Sequence, residues 1–288
     1  MSKSKIEWTD RTWNPVTGCT PISEGCANCY AARMAKRLAG RCGYPPDEPF
    51  KVTFHQDKLL EPFKWRKPQR AFVGSMTDLF HSDITDRQRD WIFQIIGLLP
   101  QHTFMVLTKR PAEMLRYFFG DRLKEEEGYT SGIIADMCSD RYWRYQTDLM
   151  NVKYLRPTYP VGWRWPLPNL WLGVTAENQA RADERIPTLL RIPAAKRFVS
   201  VEPMLGPVDL EKTPAGDILC RCDGCMRVTR DTRLDWVITG AETGPHARPC
   251  KREWVADLYE QCHAAGVPFF DKRDVLGKGI REWPEVKA

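Results

Sequence analysis

Short apolar runs alternate with helical segments along most of this 288-residue sequence, and no other feature restricts the possible folds as strongly. Continuous apolar runs of this length are typical of strands that are buried on both faces of a sheet. Strands that alternate with helices predict βαβ units and a parallel sheet. The predicted strands occupy residues 71–78, 103–110, 170–178, 196–202, 234–242 and 267–272. The predicted helices occupy residues 29–38, 86–98 with Thr85 as its N-cap, 111–119, 179–190 and 253–265.

A polar cluster follows each of the six predicted strands. In a (β/α) barrel, the active site is built from the loops at the C-terminal ends of the strands. Any strand must end in polar turn residues, but six such clusters in order favour a barrel-type site. We therefore predict an α/β fold with a partial (β/α)6 TIM-type barrel, formed by a single domain over residues 1–288. The clusters are Ser75-Met76-Thr77-Asp78, Thr108-Lys109-Arg110, Thr175-Ala176-Glu177-Asn178, Ser200-Val201-Glu202, Thr239 with Glu242, and Asp271-Lys272.

Two insertions interrupt the alternation of strands and helices. Residues 120–169 contain no clear strand and are dense in Tyr, Trp and Arg, whereas residues 211–233 contain three of the ten cysteines. Long insertions in a compact domain are usually functional loops or lids. A peripheral elaboration that only buries its own aromatic side chains is the alternative.

The composition is that of a globular protein without membrane-spanning segments. Apolar residues make up 42% and charged residues 28% of the chain, and no apolar run is long enough to cross a bilayer. The first ten residues contain no apolar signal-peptide core. We therefore expect a cytoplasmic protein that has no membrane partner. The net charge of +6 permits a polyanionic partner without requiring one.

Three cysteines stand close together near the start of the chain, in the segment GCTPISEGCANCY at residues 18–30. Cys19, Cys26 and Cys29 have the spacing Cys-x6-Cys-x2-Cys. Clustered cysteines in a cytoplasmic protein are more often metal ligands or reactive groups than disulfide partners. Three thiolates can bind three irons of a [4Fe–4S] cluster and leave the fourth iron open to a small molecule. The alternatives are a zinc ion with a distant fourth ligand and three unligated thiols.

A second group of cysteines lies in the later insertion, in the segment CRCDGC. Its members are Cys220, Cys222 and Cys225, and either Cys250 or His246 would supply a fourth ligand. We predict a zinc ion that pins the inserted loop, since tetrahedral zinc sites use such ligands. An auxiliary iron–sulfur cluster and unligated or redox-active thiols are the alternatives.

The chain resembles the phage Gp37/Gp68-type family, also called domain of unknown function 5131, which is similar to the radical S-adenosylmethionine (SAM) superfamily. The matching segments are IEWTDRTWNPVTGC, GCANCYAARMAKRL, FVGSMTDLFH, VLTKRP, LWLGVTAEN, FVSVEPMLGPVDL and WVITGAETGPHARP. The CANCYA, SMTD and LTKRP elements are also distantly similar to spore photoproduct lyase. The cysteine spacing differs from the common Cys-x3-Cys-x2-Cys pattern of the superfamily by three additional residues between the first pair.

The resemblance implies a radical SAM enzyme with a partial barrel of the radical SAM kind. A [4Fe–4S] cluster on Cys19, Cys26 and Cys29 would bind SAM and cleave it reductively. The resulting 5′-deoxyadenosyl radical would abstract hydrogen from a substrate. An electron donor such as a flavodoxin or ferredoxin is implied as a partner. The substrate is not implied, but a nucleic acid is one candidate, with the Trp, Tyr and Arg side chains of residues 142–165 as its platform.

The resemblance also assigns roles to the residues at the strand ends. Three residues are expected to be catalytic: Glu202, Glu242 and Lys109. Seven residues are expected to bind SAM: Ser75, Thr77, Asp78, Arg110, Thr175, Glu177 and Asn178. For each of them, an ordinary ion pair or hydrogen bond at the rim of the barrel is the alternative role.

A second hypothesis is a zinc-stabilised, non-enzymatic protein that binds nucleic acid. Such a protein needs neither an open three-cysteine loop nor six polar strand ends. It would also favour a stronger basic excess than the net charge of +6 found here. The sequence therefore favours the enzyme.

Overall fold

A computed structural model describes residue 4 and residues 6–119, 166–219 and 233–285 of the chain. The second cysteine group, Cys220, Cys222 and Cys225, lies outside the described residues, as does the aromatic segment 142–165. None of the helices in the described ranges combines the length and the apolar character that a membrane span requires.

Nine strands and five α-helices occur in the described part of the chain. The strands are β1 (Arg11–Trp13), β2 (Val16–Thr17), β3 (Thr53–Phe54), β4 (Arg70–Val73), β5 (Thr103–Thr108), β6 (Leu170–Thr175), β7 (Lys196–Val201), β8 (Trp236–Gly240) and β9 (Phe269–Lys272). The helices are α1 (Tyr30–Arg37), α2 (Asp86–Leu98), α3 (Pro111–Phe119), α4 (Gln179–Leu190) and α5 (Arg252–Ala264). All six predicted strands and all five predicted helices are confirmed.

Seven of these strands form one parallel sheet in the order β1-β4-β5-β6-β7-β8-β9, and the sheet curls into an open half-barrel. The mixed α/β fold is as predicted, but the sheet has seven strands rather than six. The sequence pattern does not predict β1, because its three residues, RTW, include two polar side chains and form no apolar run. Pairing with β4 places Trp13 opposite Val73. The strands β2 and β3 form a separate antiparallel pair.

Helix α2 illustrates how local sequence sets an element that covers the sheet. The Thr85 hydroxyl accepts a hydrogen bond from the Gln88 backbone N–H at 3.3 Å, and the Gln88 side chain accepts one from the Thr85 N–H at 2.9 Å. This reciprocal capping box satisfies two backbone donors at the start of the helix. The apolar face of α2, including Ile92 and Ile96, is then buried in the main core between the sheet and the helices.

The inner face of the half-barrel is filled by large apolar side chains near the N-terminal ends of the strands. They pack in one cluster: Trp8, Met105, Trp171, Phe198, Trp236, Ile238 and Phe270. Side chains alternate between the two faces of a strand. Lys109, Thr175 and Glu202 each lie four residues further along the chain, after Met105, Trp171 and Phe198 respectively. A separation of four residues keeps the same face of the sheet. The inner face therefore changes from apolar to polar as it approaches the C-terminal edge of the sheet.

Gly173 lies between the two layers of this inner face, and we expect it to tolerate no side chain. A Cβ atom built on Gly173 would lie 2.6 Å from Cζ of Phe198, which is shorter than any normal contact. We expect Gly173→Ala to destabilise the protein by about 1–3 kcal/mol, because overpacking displaces neighbouring side chains. Urea denaturation measures this change. Gly206→Ala is the matched control, because its Cβ would lie 3.6 Å from the nearest atom. Equal stability of the two variants would contradict the prediction.

Candidate functional site

A cavity of about 270 Å³ opens at the C-terminal edge of the half-barrel. It lies between the ends of the strands and the loop of residues 18–30, which contains the first cysteine group. Eleven of the residues predicted to be catalytic, cofactor-binding or metal-binding line this cavity: Cys19, Cys26, Cys29, Ser75, Thr77, Asp78, Lys109, Arg110, Thr175, Glu202 and Glu242. The predicted convergence of the cysteine loop and the strand ends is thus present in the structure.

The cysteine loop is attached to the sheet at its first residue. The backbone N–H of Gly18 donates to the Met76 carbonyl at 2.9 Å, and the Thr77 hydroxyl donates to the Gly18 carbonyl at 2.6 Å. Gly18 has a φ of +91°, and a Cβ there would lie 2.2 Å from the Lys51 carbonyl oxygen. Only glycine fits this position, because it has no Cβ and adopts positive φ freely. Thr77 therefore holds the loop rather than reaching freely into the cavity.

The far side of the cysteine loop is attached to the loop that follows β8. The Asn28 side-chain amide donates to Glu242 Oε2 at 2.9 Å, and Arg248 Nη1 donates to the Glu24 carbonyl at 2.9 Å. Arg248 also forms an ion pair with Glu242 at 2.7 Å. The hydrogen bonds from Arg248 lower the pKa of Glu242 to about 2. Glu242 is therefore ionised at neutral pH, and its carboxylate links the two loops.

Asp78 organises the strand end of β5. Its carboxylate accepts hydrogen bonds from the Thr108 hydroxyl at 2.7 Å and from the Lys109 backbone N–H at 2.9 Å. Arg110 Nη1 lies 3.3 Å from Asp78 Oδ2 and donates to Cys19 Sγ at 3.5 Å. Burial, with the charge of Asp78, raises the pKa of the Cys19 thiol, and Arg110 offsets only part of this increase. Asp78 thus orients the two cations that follow β5.

Lys109 occupies the base of the cavity beside the second cysteine. Its Nζ lies 2.6 Å from Glu177 Oε1 and 3.9 Å from Cys26 Sγ. Burial alone would raise the pKa of the Cys26 thiol, but hydrogen bonds from the Ile22 and Ser23 backbone and the Lys109 ammonium lower it overall. Cys26 is therefore the more readily ionised of the two thiols that contact cations.

Glu177 and Asn178 do not line the cavity, although the sequence suggests that they bind a cofactor. Glu177 is fully buried and pairs with Arg185 at 2.9 Å as well as with Lys109. Burial alone would raise the pKa of Glu177, but the Lys109 ammonium outweighs this effect and lowers it. Asn178 is the N-cap of α4: its side-chain oxygen accepts from the Arg181 N–H at 3.1 Å. Both residues act beneath the cavity, where they support its wall.

Of two further predicted residues, Glu202 lies at the cavity and Cys250 lies away from it. Glu202 lines the cavity and forms an ion pair with Lys272. Cys250, a predicted ligand of the second metal, is half-buried and does not line the cavity. The partners expected for Cys250 are not among the described residues, so its role as a ligand stays a prediction.

Several supporting residues were not predicted from the sequence. Asn14 accepts a hydrogen bond from the Ser75 hydroxyl at 3.1 Å. The Ser23 hydroxyl donates to Glu177 Oε1 at 2.6 Å, over a separation of 154 residues. Asn28 and Ser23 lie inside the cysteine loop, and this position is the one sequence feature that could have indicated their role. Arg185 has the helical spacing of the buried face of α4, but nothing in the sequence identifies Glu177 as its partner.

The three loop cysteines are free thiols. In the described ranges, no three Cys, His, Asp or Glu side chains are close enough to share one metal ion. A [4Fe–4S] cluster has a different requirement, because each thiolate binds a separate iron atom. Three separate thiols that line one cavity suit that ligation.

A family model matches residues 3–278 of the chain and carries the description "protein of unknown function (DUF5131)". The chain belongs to this DUF5131 family. No curated protein has a sequence that matches the chain. A solved structure of spore photoproduct lyase in complex with a dinucleoside spore photoproduct matches with a TM-score of 0.48 at 9% identity, over 94% of this chain and 78% of that one. A cysteine-to-serine variant of that enzyme matches with a TM-score of 0.46 at 10% identity, with the same coverage.

Proposed function

We propose that this protein is a radical SAM enzyme that abstracts hydrogen from a substrate bound at the C-terminal edge of the half-barrel. One observation carries the proposal: three free thiols and the polar ends of the parallel strands line the same cavity. A barrel of parallel strands places its chemistry at this edge. An open three-thiol loop at the same edge fits a cluster with one unligated iron.

The residues around the cavity fit such a cluster. Cys19, Cys26 and Cys29 would bind three of its irons, and the cations Lys109 and Arg110 contact two of the sulfurs. A cluster with three thiolate ligands carries negative charge, which these cations would stabilise. When bound, the reduced cluster supplies the electron that cleaves SAM to the 5′-deoxyadenosyl radical, and the protein supplies placement and exclusion of water.

The remaining cavity residues would bind SAM and the substrate. Ser75, Thr175, Glu202 and Glu242 all line the cavity, and we assign their hydroxyl and carboxylate groups to this binding. Apolar side chains, such as Phe72 beneath them, line the rest of the cavity and would exclude water from the reaction. Lys109 is engaged by Glu177, so we assign it to the cluster side of the cavity rather than to the carboxylate of SAM.

Partners and location follow from the same proposal. The cluster needs an external one-electron donor, and we propose a flavodoxin or ferredoxin of the cytoplasm. The substrate class is open, and a nucleic acid is one candidate because of the aromatic and basic residues in segment 142–165. The predicted zinc or second iron–sulfur site on Cys220, Cys222, Cys225 and Cys250 is a separate proposal, which metal analysis addresses directly.

Anaerobic purification followed by iron, sulfide and zinc analysis tests the proposal. We expect about four irons and four sulfides per chain after reconstitution. Addition of dithionite and SAM should then release 5′-deoxyadenosine, and omission of dithionite should prevent it. Zinc alone, with no iron after anaerobic reconstitution, would exclude the radical SAM enzyme. That result would favour the zinc-stabilised protein that binds nucleic acid.

A further inference from the structure

We propose that Lys109 is a positioning residue that sets the reduction potential of the cluster by placing its positive charge beside Cys26. This inference rests on the proposed function, because it concerns a cluster that the cysteine loop binds. It adds to that function the role of one lysine, whose ammonium group contacts a sulfur ligand of the cluster.

The position of Lys109 is fixed at both ends of the residue. Its backbone N–H donates to Asp78 Oδ2 at 2.9 Å, and its Nζ lies 2.6 Å from Glu177 Oε1. The side chain is 19% exposed, so protein surrounds most of its length. With the ammonium held in this way, its second contact is Cys26 Sγ at 3.9 Å. The contact with sulfur is therefore built into the fold.

Glu177 is buried between two cations, and only one of them faces the cavity. Its carboxylate lies 2.6 Å from Lys109 and 2.9 Å from Arg185. Arg185 is 1% exposed and lies on the side away from the cavity, where its Nη1 donates to the Thr175 carbonyl and its Nε lies 4.0 Å from Glu184 Oε2. The Lys109 ammonium is therefore the cation of this group that faces Cys26.

The neighbouring cysteine also contacts a cation. Arg110 contacts Cys19 Sγ at 3.5 Å, and the same Nη1 atom lies 3.3 Å from Asp78 Oδ2. Both cysteines therefore contact a cation that also pairs with a carboxylate. The two carboxylates differ, because Glu177 is shared with a second cation, Arg185.

A positive charge at a ligand sulfur favours the reduced form of the cluster. Reduction adds one electron from the external donor, and the more negative product is stabilised by a nearby cation and by hydrogen bonds to sulfur. The interaction is stronger than in bulk water because Lys109 is only 19% exposed and Cys26 is half-buried. Removing the charge of Lys109 should therefore make the cluster harder to reduce, and removing that of Glu177 should make it easier.

Redox titration of the reconstituted protein without SAM, followed by visible absorbance and electron paramagnetic resonance, tests this inference. We expect K109Q to shift the one-electron reduction equilibrium at least tenfold toward the oxidised cluster, which is about 59 mV. K109R keeps the charge and should titrate close to the wild type. E177Q should shift the equilibrium in the opposite direction. K196Q is the matched control, because it removes a lysine from an ion pair with Asp235 at the N-terminal end of β7.

The two proposals fail in different ways in this experiment. Absence of iron in the wild type would overturn the proposed function and this inference with it. A bound cluster whose potential is the same in K109Q and K196Q would overturn the inference and leave the proposed function standing. If K109Q binds no cluster, the comparison of E177Q with the wild type decides, and an unchanged or lowered potential there contradicts the inference.

Discussion

Replacing Cys26 by alanine is expected to abolish cluster binding and the release of 5′-deoxyadenosine. Cys26 is the middle ligand of the three-cysteine loop, and two thiolates alone hold too few irons to retain the cluster. The side chain is only half-buried and belongs to none of the apolar core clusters. The half-barrel should therefore stay folded, with the circular dichroism spectrum of the wild type. Iron and sulfide analysis after anaerobic reconstitution measures the loss.

Cys42→Ser is the matched control for this variant. Cys42 is exposed and does not line the cavity, so Cys42→Ser should retain the iron content of the wild type. Full iron content in Cys26→Ala would show that the three-cysteine loop does not bind the cluster. Loss of zinc rather than iron in Cys26→Ala would assign the loop to zinc.

The elements of this fold were predictable because their signals are local. Helix α2 begins at the residue that follows Thr85, since the capping box needs only residues three apart in sequence. The strands β5 to β9 contain apolar runs in the sequence because both of their faces are largely buried. The strand β1 is the exception, because no pattern in its own sequence predicts it. It is a strand because it pairs with β4, which lies sixty residues away in the sequence.

Most of the residues that line the cavity could be predicted from the strand ends, but the directions of their side chains could not. Lys109, Thr175 and Glu202 follow the alternation of their strands and reach the cavity. Glu177 continues the same alternation, yet it is buried by Gly25, whose Cβ would lie 2.3 Å from the carboxylate. That contact joins segments 152 residues apart, so no sequence pattern records it. Asn178 carried a local signal, because asparagine is a favoured N-cap at the start of a helix.

Replacing Arg185 by methionine is expected to give the largest loss of stability among these variants. Arg185 and Glu177 are both buried, and their ion pair at 2.9 Å is sealed from water. Removing one partner of a buried pair costs about 3–5 kcal/mol when the other partner is left without a counter-charge. Lys109 still pairs with Glu177, so we expect the lower end of that range in urea denaturation at pH 7. Arg181→Met is the control on the same helix, because Arg181 is 31% exposed and its ion pairs contribute at most about 1 kcal/mol.

The loss in Arg185→Met should shrink as the pH falls. The pKa of Glu177 is lowered in the folded protein, so its ionised form stabilises the fold above the unfolded pKa of about 4.3. That contribution is lost as the pH falls through the folded pKa. In Arg185→Met, Glu177 has one cation fewer, so its carboxylate binds a proton at a higher pH in the folded protein. The variant therefore loses less folding stability than the wild type when the pH is lowered. The stability curves of the two proteins should therefore converge as the pH falls below the unfolded pKa of about 4.3, whereas parallel curves would show that the loss comes from packing and not from charge.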